Sequence, residues 1–591
     1  MSGIPDYDKR PVIAINGSDQ DCLQGWPEIF ERIDAEIAGR SPFLIALECY
    51  PGIAVEELGR MLRLRFSSAL VLDTASAYKS SKDLAAQFAD TLTDDPVFGF
   101  MHPWTIADFL DPALLQRWQQ WVRDRAGLVF VVGTGAVLLA PQANLVLYAA
   151  LTRWQIQQRQ RSHTIGNLGL SNASDSPSRL YKNAFFIDWR AADRLRHEIY
   201  EDIDLFLDLN DSDNPRMLEG KLLRDAIGKV AERPFRVVPF FDPGPWGGDW
   251  MQRQFDLPSG PKNYAWGFDC VPEENSVILG FGKRTIELPA SIVVHEEPEK
   301  LLGSDIYRRF GAEFPIRFDI LDTMNGGNLS LQVHPLTQYI REHFGMDYTQ
   351  DESYYILDCG ENSQLYLGLR NGIDPGEMRT ALQRAEAGQQ DFEAERYINR
   401  WPTRRHDHFS IPAGTIHCSG KDNVVLEISA TPYIFTFKLW DWGRAGLDGK
   451  PRPIHLKHGL ENIQWDRDAR WVEAEVLEQV QMIRQGEGWR EERTGLHAAE
   501  FLETRRHWFN VPVTHNTHGT LHVLNLVQGD GVVVESPAGK FPPLFVHYAE
   551  TFIVPASAGE YCITPLHTSD QPHATIKAYV RSPFANRNVS V

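Results

Sequence analysis

The chain reads as a multidomain protein, with an N-terminal three-layer α/β domain followed by two all-β domains, the first carrying a helical insertion. Three observations predict this. Residues 11 to about 235 alternate continuous apolar runs with amphipathic segments, the pattern of a mainly parallel sheet covered by helices. Beyond that point short alternating stretches are separated by Gly, Pro and Asp turns, the pattern of antiparallel sheets. At 591 residues the chain is too long for one core. The expected domains are 1–235, 236–470 and 471–591.

In the first domain Val12–Ile15, Phe43–Leu47, Ala69–Asp73 and Leu128–Val132 read as buried strands, with a helical stretch from Trp26. Gly17–Cys22 follows the first strand, where a phosphate-binding loop would stand. Such a loop ends in Gly-Lys-Ser/Thr, so that backbone N–H groups and the lysine hold the phosphates. Here the lysine is absent, and Asp19 and Asp21 repel phosphate. The domain loosely resembles the nucleoside-kinase branch of the P-loop fold, in a degenerate form. Arg153, Arg159 and Arg161 would then stand near a lid, and their plain reading is one solvated helix face. Phe185–Arg190 is expected as a later strand. Asp202, Asp204, Asp208, Asp211 and Asp213 lack EF-hand spacing and read as a solvated acidic turn.

Pro234 and the Pro239–Gly248 segment mark the next boundary. Asp374-Pro375-Gly376-Glu377 is an N-cap and first turn, so the insertion at about 374–399 is expected as a helix over Met378–Tyr397. Strands resume at Asp407–Ile411. In the last domain Leu521–Val527, Gly531–Glu535, Thr551–Val554 and Ala574–Val580 read as strands, with no metal set; His515, His518 and His522 lie near a turn and read as surface residues.

Asn328-Leu329-Ser330-Leu331-Gln332-Val333-His334-Pro335 reads as one more strand, with Leu329, Leu331 and Val333 on one face and Ser330, Gln332 and His334 on the other. Gln332 and His334 would point the same way, about 6–7 Å apart at the ~3.3 Å rise per residue, within reach of one ion. Glu352 and His417 are further ligands of the right kind. Two imidazoles, a carboxylate and an amide oxygen suit a divalent metal such as zinc and leave a position open for water or substrate.

Leu-Ser-Leu-Gln-Val-His-Pro at 329–335 and Ile-Pro-Ala-Gly-Thr-Ile-His-Cys at 411–418 together resemble the paired signature of the class I mannose-6-phosphate isomerases, zinc enzymes of the cupin (jelly-roll) fold. The resemblance implies jelly rolls for both β domains and one zinc per chain held by Gln332, His334, Glu352 and His417. It implies interconversion of mannose 6-phosphate and fructose 6-phosphate through an enediol. That chemistry needs a cation to polarise oxygen, a proton carrier and a cationic subsite for phosphate.

The chain departs from the pattern at three places. Gln350 stands where the family has a lysine before the zinc-binding glutamate. Lys438 replaces an arginine lining the pocket and loses its fork geometry. Asn263-Tyr264-Ala265-Trp266 lacks the family's acid before the tryptophan. Ser330 and Arg444 match, and Glu427 could be a buried acid. Lys438, Arg444 and Glu427 are therefore the catalytic candidates, and Ser330 and Gln350 the substrate-binding ones. Two other readings stay open: a zinc cupin that isomerises another sugar or binds one as a sensor, and an N-terminal nucleotide-binding or kinase domain regulated by the cupins.

A net charge of −20 argues against nucleic acid or an anionic membrane as the main partner and leaves room for a local basic pocket for one phosphate; the small phosphosugar as partner is what the resemblance implies. The longest apolar stretch, Leu128–Leu139, is broken by Gly133 and Gly135 and falls short of the ~20 residues of a membrane span. Six Cys without a CxxC pair, and no signal-peptide pattern at the start, give a cytoplasmic location as the expectation.

Overall fold

The computed structural model describes residues 7–431, 433–447, 449, 452–495, 497, 500–567 and 570–581. It divides into two compact units. One comprises Val12–Lys229 and Ser276–Glu296, the other Met1–Pro11, Val230–Asn275 and Glu297–Val591.

The first unit is built on a seven-stranded sheet. Its core is five parallel strands in the spatial order Leu70–Asp73, Leu128–Gly133, Phe43–Cys49, Leu145–Ala150 and Leu205–Asp208. Antiparallel Arg216–Glu219 and Leu23–Gln24 complete one edge. Continuous apolar runs are the signature of strands covered on both faces; Ile45, Ala46, Phe130 and Val131 are fully buried.

Val12–Ile15 is not part of this sheet. It pairs in parallel with Ser276–Phe281, which forms a hairpin with Arg284–Pro289, giving a separate three-stranded sheet. The segment 276–296 thus belongs with the N-terminal unit, beyond the boundary expected near 235. The loop following the central parallel strand is therefore Tyr50–Ala54, not Gly17–Cys22. It leads into the helix Val55–Arg65, whose first turn carries Glu56 and Glu57, charges that oppose anion binding at a helix N-terminus.

Phe185–Arg190 is helical rather than extended: Ala184–Asp188 is a π-helical turn running into the helix Trp189–Ile199. Phe185, Phe186, Ile187 and Trp189 are all fully buried, and a continuous apolar run does not distinguish buried helix from buried strand. Arg153, expected on a solvated face, is also fully buried, paired with Asp193. Arg159 donates to the Gly52 and Leu209 carbonyls, and only Arg161 is exposed. Asp193 is shared with Arg196, 2.9 Å away. Within the acidic stretch Asp208 is buried and accepts the Asn210 and Glu287 N–H groups.

The second unit contains two pairs of antiparallel sheets. In the first pair a six-stranded sheet runs His408–Ile411, Asp351–Cys359, Asn423–Ala430, Arg317–Asp322, Trp266–Cys270, Phe240–Asp242. Its companion runs Ile398–Pro402, Gln364–Leu369, His417–Ser419, Leu331–Val333, Phe437–Trp440. Asp374 caps the insertion helix by accepting the Glu377 N–H at 2.9 Å. That helix, Pro375–Glu386, stops eleven residues short of the expected Tyr397, turning at Gly388 with φ +67°. Only Ala394–Tyr397 is helical beyond it.

In the second pair, Gln481–Gly486, Trp489–Arg493, Leu502–Phe509, His573–Val580, His522–Gln528 and Thr551–Val554 face Val513–Asn516, Glu560–Pro565, Gly531–Glu535 and Leu544–His547. Phe509, Leu524 and Phe552 of one sheet pack with Val534, Val546 and Ile563 of the other. His515 and His522, expected at the surface, are buried between these sheets, because both lie within strands whose alternation turns them inward; His518 is exposed. Among the described residues no helix is long and apolar enough to cross a membrane, and all six cysteines are free.

Candidate metal centre

The alternation read from 329–335 holds, although the paired strand is only Leu331–Val333. Leu329, Leu331 and Val333 pack inward on the apolar side, and Ser330, Gln332 and His334 share the other face. Gln332 stands opposite His417 on one neighbour and opposite Lys438 on the other. These three side chains therefore emerge on one face, side by side. Glu352 comes from the opposing sheet, near the start of Asp351–Cys359.

His334, Glu352 and His417 are fully buried and are the one trio of ligand-type residues among those described whose donor atoms lie within 4.8 Å of one another. Glu352 Oε2 lies 3.0 Å from His334 Nε2, and Oε1 2.8 Å from His417 Nε2. The other ring nitrogens fix the tautomers. His334 Nδ1 donates to the Phe435 carbonyl and His417 Nδ1 to the Thr415 carbonyl, both at 2.9 Å. With Nδ1 engaged, each ring presents its Nε2 to the carboxylate, the atom that takes a metal or, without one, a proton shared with Glu352; against the effect of burial, the Glu352 charge raises His334 above its usual value. Backbone-anchored histidines are the usual support of a metal site.

The donor set therefore fits a divalent cation. Gln332 adds a fourth donor, its amide 3.2 Å from His417 Nε2. Amide nitrogen and oxygen are told apart only by their partners, and a half-turn presents Oε1.

Gln350 has a partner at each end of its amide. Its Nε2 donates to Glu352 Oε2 at 2.9 Å, and its Oε1 accepts the Phe435 N–H at 3.0 Å. It is thus a support for Glu352, whereas the sequence suggested substrate contact. Glu427 lies opposite both Tyr354 and Asp319 in its sheet. Burial, then the charges of Glu352 and Asp319, push its carboxyl well above the usual range.

Lys438 is lowered to about 8 by burial and by the nearby Arg452. Ser330 donates to Asp441 at 2.8 Å; Arg444 and Arg452 both pair with the same carboxylate, and Arg452 also donates to Ser330 at 3.0 Å. Arg452 was not foreseen. It follows a turn, with no local motif, and only the fold carries it to Asp441.

A family model described as "Domain of unknown function (DUF8485)" matches residues 25–232. The chain is 28% identical to the mannose-6-phosphate isomerase ManA of Bacillus subtilis (strain 168) over 236 residues, 40% of this chain and 69% of that protein. It is 25% identical to the mannose-6-phosphate isomerase of Streptococcus mutans serotype c (strain ATCC 700610 / UA159) over 244 residues, 40% and 71% respectively. Superposed on the crystal structure of the Bacillus subtilis mannose 6-phosphate isomerase, it covers 59% of this chain and all of that one, with 18% identity and a TM-score of 0.47. The chain is thus homologous to mannose-6-phosphate isomerases over about 40% of its length.

Proposed function

We propose that the chain is a zinc-dependent aldose–ketose isomerase that interconverts mannose 6-phosphate and fructose 6-phosphate in the cytoplasm. The observation that carries the reading is the convergence of two tautomer-fixed Nε2 atoms on the Glu352 carboxylate. Zinc held by Gln332, His334, Glu352 and His417 would polarise the sugar carbonyl and its neighbouring hydroxyl.

The reaction removes the proton from C2 of the aldose, passes through an enediol and returns a proton to C1, while the O2 proton moves to O1. Lys438 rises beside Gln332 on the same face, and with a pKa near 8 part of it is neutral amine at working pH; it takes the carbon proton. Glu427, whose carboxyl is raised by burial and the Glu352 charge, would relay the hydroxyl proton. Arg444 and Arg452, oriented by Asp441, offer the charge for phosphate.

Ser330 and Gln350 position Asp441 and Glu352 respectively. The N-terminal unit, whose central-strand loop lacks a lysine, is read as a degenerate P-loop-like domain without kinase activity. The partners at both ends of the Gln350 amide favour one second reading, a zinc cupin acting on or sensing a different sugar.

The test is turnover of mannose 6-phosphate by zinc-loaded protein, beside His417→Ala and chelator-treated samples. Turnover lost in both controls supports the isomerase. No turnover from protein carrying one zinc per chain overturns it in favour of the second reading.

A further inference from the structure

The C-terminal pair of sheets has an apolar end and a polar end. At the polar end His507 and Lys577 come from the larger sheet and His515 from the smaller. His507 and His515 meet across the gap with ring centroids 4.5 Å apart. His515 stacks on Tyr561 at 5.1 Å, and the Tyr561 hydroxyl lies 2.9 Å from His522 Nδ1. Lys577 stands opposite both Arg505 and Leu524, so its side chain enters the same interior. All of these side chains are buried.

Lys577 lies over the Tyr579 ring at 5.6 Å, and two features stand out beside that contact. Both ring nitrogens of His515 and Nδ1 of His507 are buried without a hydrogen-bond partner. Lys577 is 6% exposed and forms no ion pair among the described residues. The neighbouring carboxylates are engaged elsewhere: Glu491 with His507 and Arg484, Glu503 with Arg493, Arg505 and Arg581. Buried polar groups are almost always partnered, and buried charges almost always paired. A metal does not suit the set, since the ammonium would repel it.

We propose that the C-terminal β module holds a second ligand site, distinct from the candidate metal centre, which binds the phosphate or carboxylate group of a small anion through the Lys577 ammonium and an N–H of His515, while His507, whose Nε2 faces Glu491, packs beside them. An anion here would supply a charge opposite Lys577 and an acceptor for His515. The lowering of Lys577 to about 8 by burial describes the site without that charge.

The experiment is calorimetric titration of the full-length protein with inorganic phosphate and, separately, with acetate. Expected is saturable binding of one of them that weakens at least tenfold in Lys577→Met, persists in Lys577→Arg and persists in His417→Ala. Whichever anion binds names the headgroup. Should Lys577→Met not fold, His515→Leu carries the same comparison with the same expected loss. The proposal is overturned if neither anion binds, if the variants bind as the parent does, or if His417→Ala alone abolishes binding.

Discussion

Gln350 and Phe435 lock two ligands to one residue: the Phe435 N–H donates to Gln350 Oε1 at 3.0 Å, and its carbonyl accepts from His334 Nδ1 at 2.9 Å. Through Gln350 Nε2 the same unit reaches Glu352. Gln350→Leu keeps the volume but leaves the Phe435 N–H buried and unpaired, at a cost of about 1–3 kcal/mol. With Glu352 no longer oriented, zinc affinity is expected to fall about 10–100-fold. Competition against a chelating dye measures it, and unchanged affinity would remove Gln350 from the support of the site.

Removing a metal ligand separates binding from folding. In His417→Ala and Glu352→Gln, zinc measured by mass spectrometry is expected to drop well below one per chain. Without metal the Glu352 charge and His334 hold each other, Glu352 lowered and His334 raised, so metal-free Glu352→Gln is expected to unfold earlier than the metal-free parent, as the loss of one partner of a buried pair does. An unchanged midpoint would show that the carboxylate serves the metal alone.

Lys438 and Arg452 are assigned different work, so their variants are expected to differ in kind. Arg452→Ala should raise KM for the phosphosugar with a smaller effect on kcat. Lys438→Met should lower kcat by about 10²–10⁴-fold, the usual worth of a general base. Equal effects on both constants in both variants would contradict the division.

Lys577 predicts a pH-dependent stability. Its surroundings include Glu491 and Glu503, Arg484 and Arg505, the three buried histidines and Tyr579. The folded state gives up the proton near pH 8, the unfolded chain near 10.5. Below 8 both states are protonated and the burial penalty is complete. Between the two values the unfolded state binds more protons, so stability rises with pH. In anion-free buffer Lys577→Met is therefore expected to gain up to about 3 kcal/mol at pH 7, from ~1.4 kcal/mol per pKa unit, and to lose most of that gain by pH 10. Urea melts at both values test this; a constant difference would show that the ammonium is not desolvated.

In the N-terminal unit Asp193→Asn leaves Arg153 buried with a neutral partner and Arg196 with Glu296 as its remaining carboxylate. Breaking a buried pair costs about 3–5 kcal/mol, so the first unit should melt earlier while zinc content stays unchanged. A simultaneous loss of zinc would refute the independence of the two.

The metal centre was legible because its residues sit in short motifs with their own periodicity: Gln332 and His334 share a strand face whatever the rest of the chain does. Arg452 was not legible, because its place is set by tertiary contact alone. Gln350 was read as a substrate contact from its position before Glu352; only the hydrogen bond from Phe435, 85 residues away, gives its orientation. The α/β texture was readable from apolar runs, but strand membership was not. Val12–Ile15 has the composition of a core strand, yet its partner lies more than 260 residues later. The buried histidines of the last module were missed because spacing near a turn says nothing about which sheet face a residue takes.

The pairing of Val12–Ile15 with Ser276–Phe281 also constrains how the protein can be made and cut. During synthesis the N-terminal unit cannot close its smaller sheet until Pro289 has left the ribosome, by which time the first strands of the second unit have emerged as well. A protein truncated at residue 235 would leave Val12–Ile15 as an unpaired edge, a surface prone to join other chains. The smallest fragment expected to fold cleanly as the N-terminal unit is one that supplies 276–296 through a graft that bypasses the strands between.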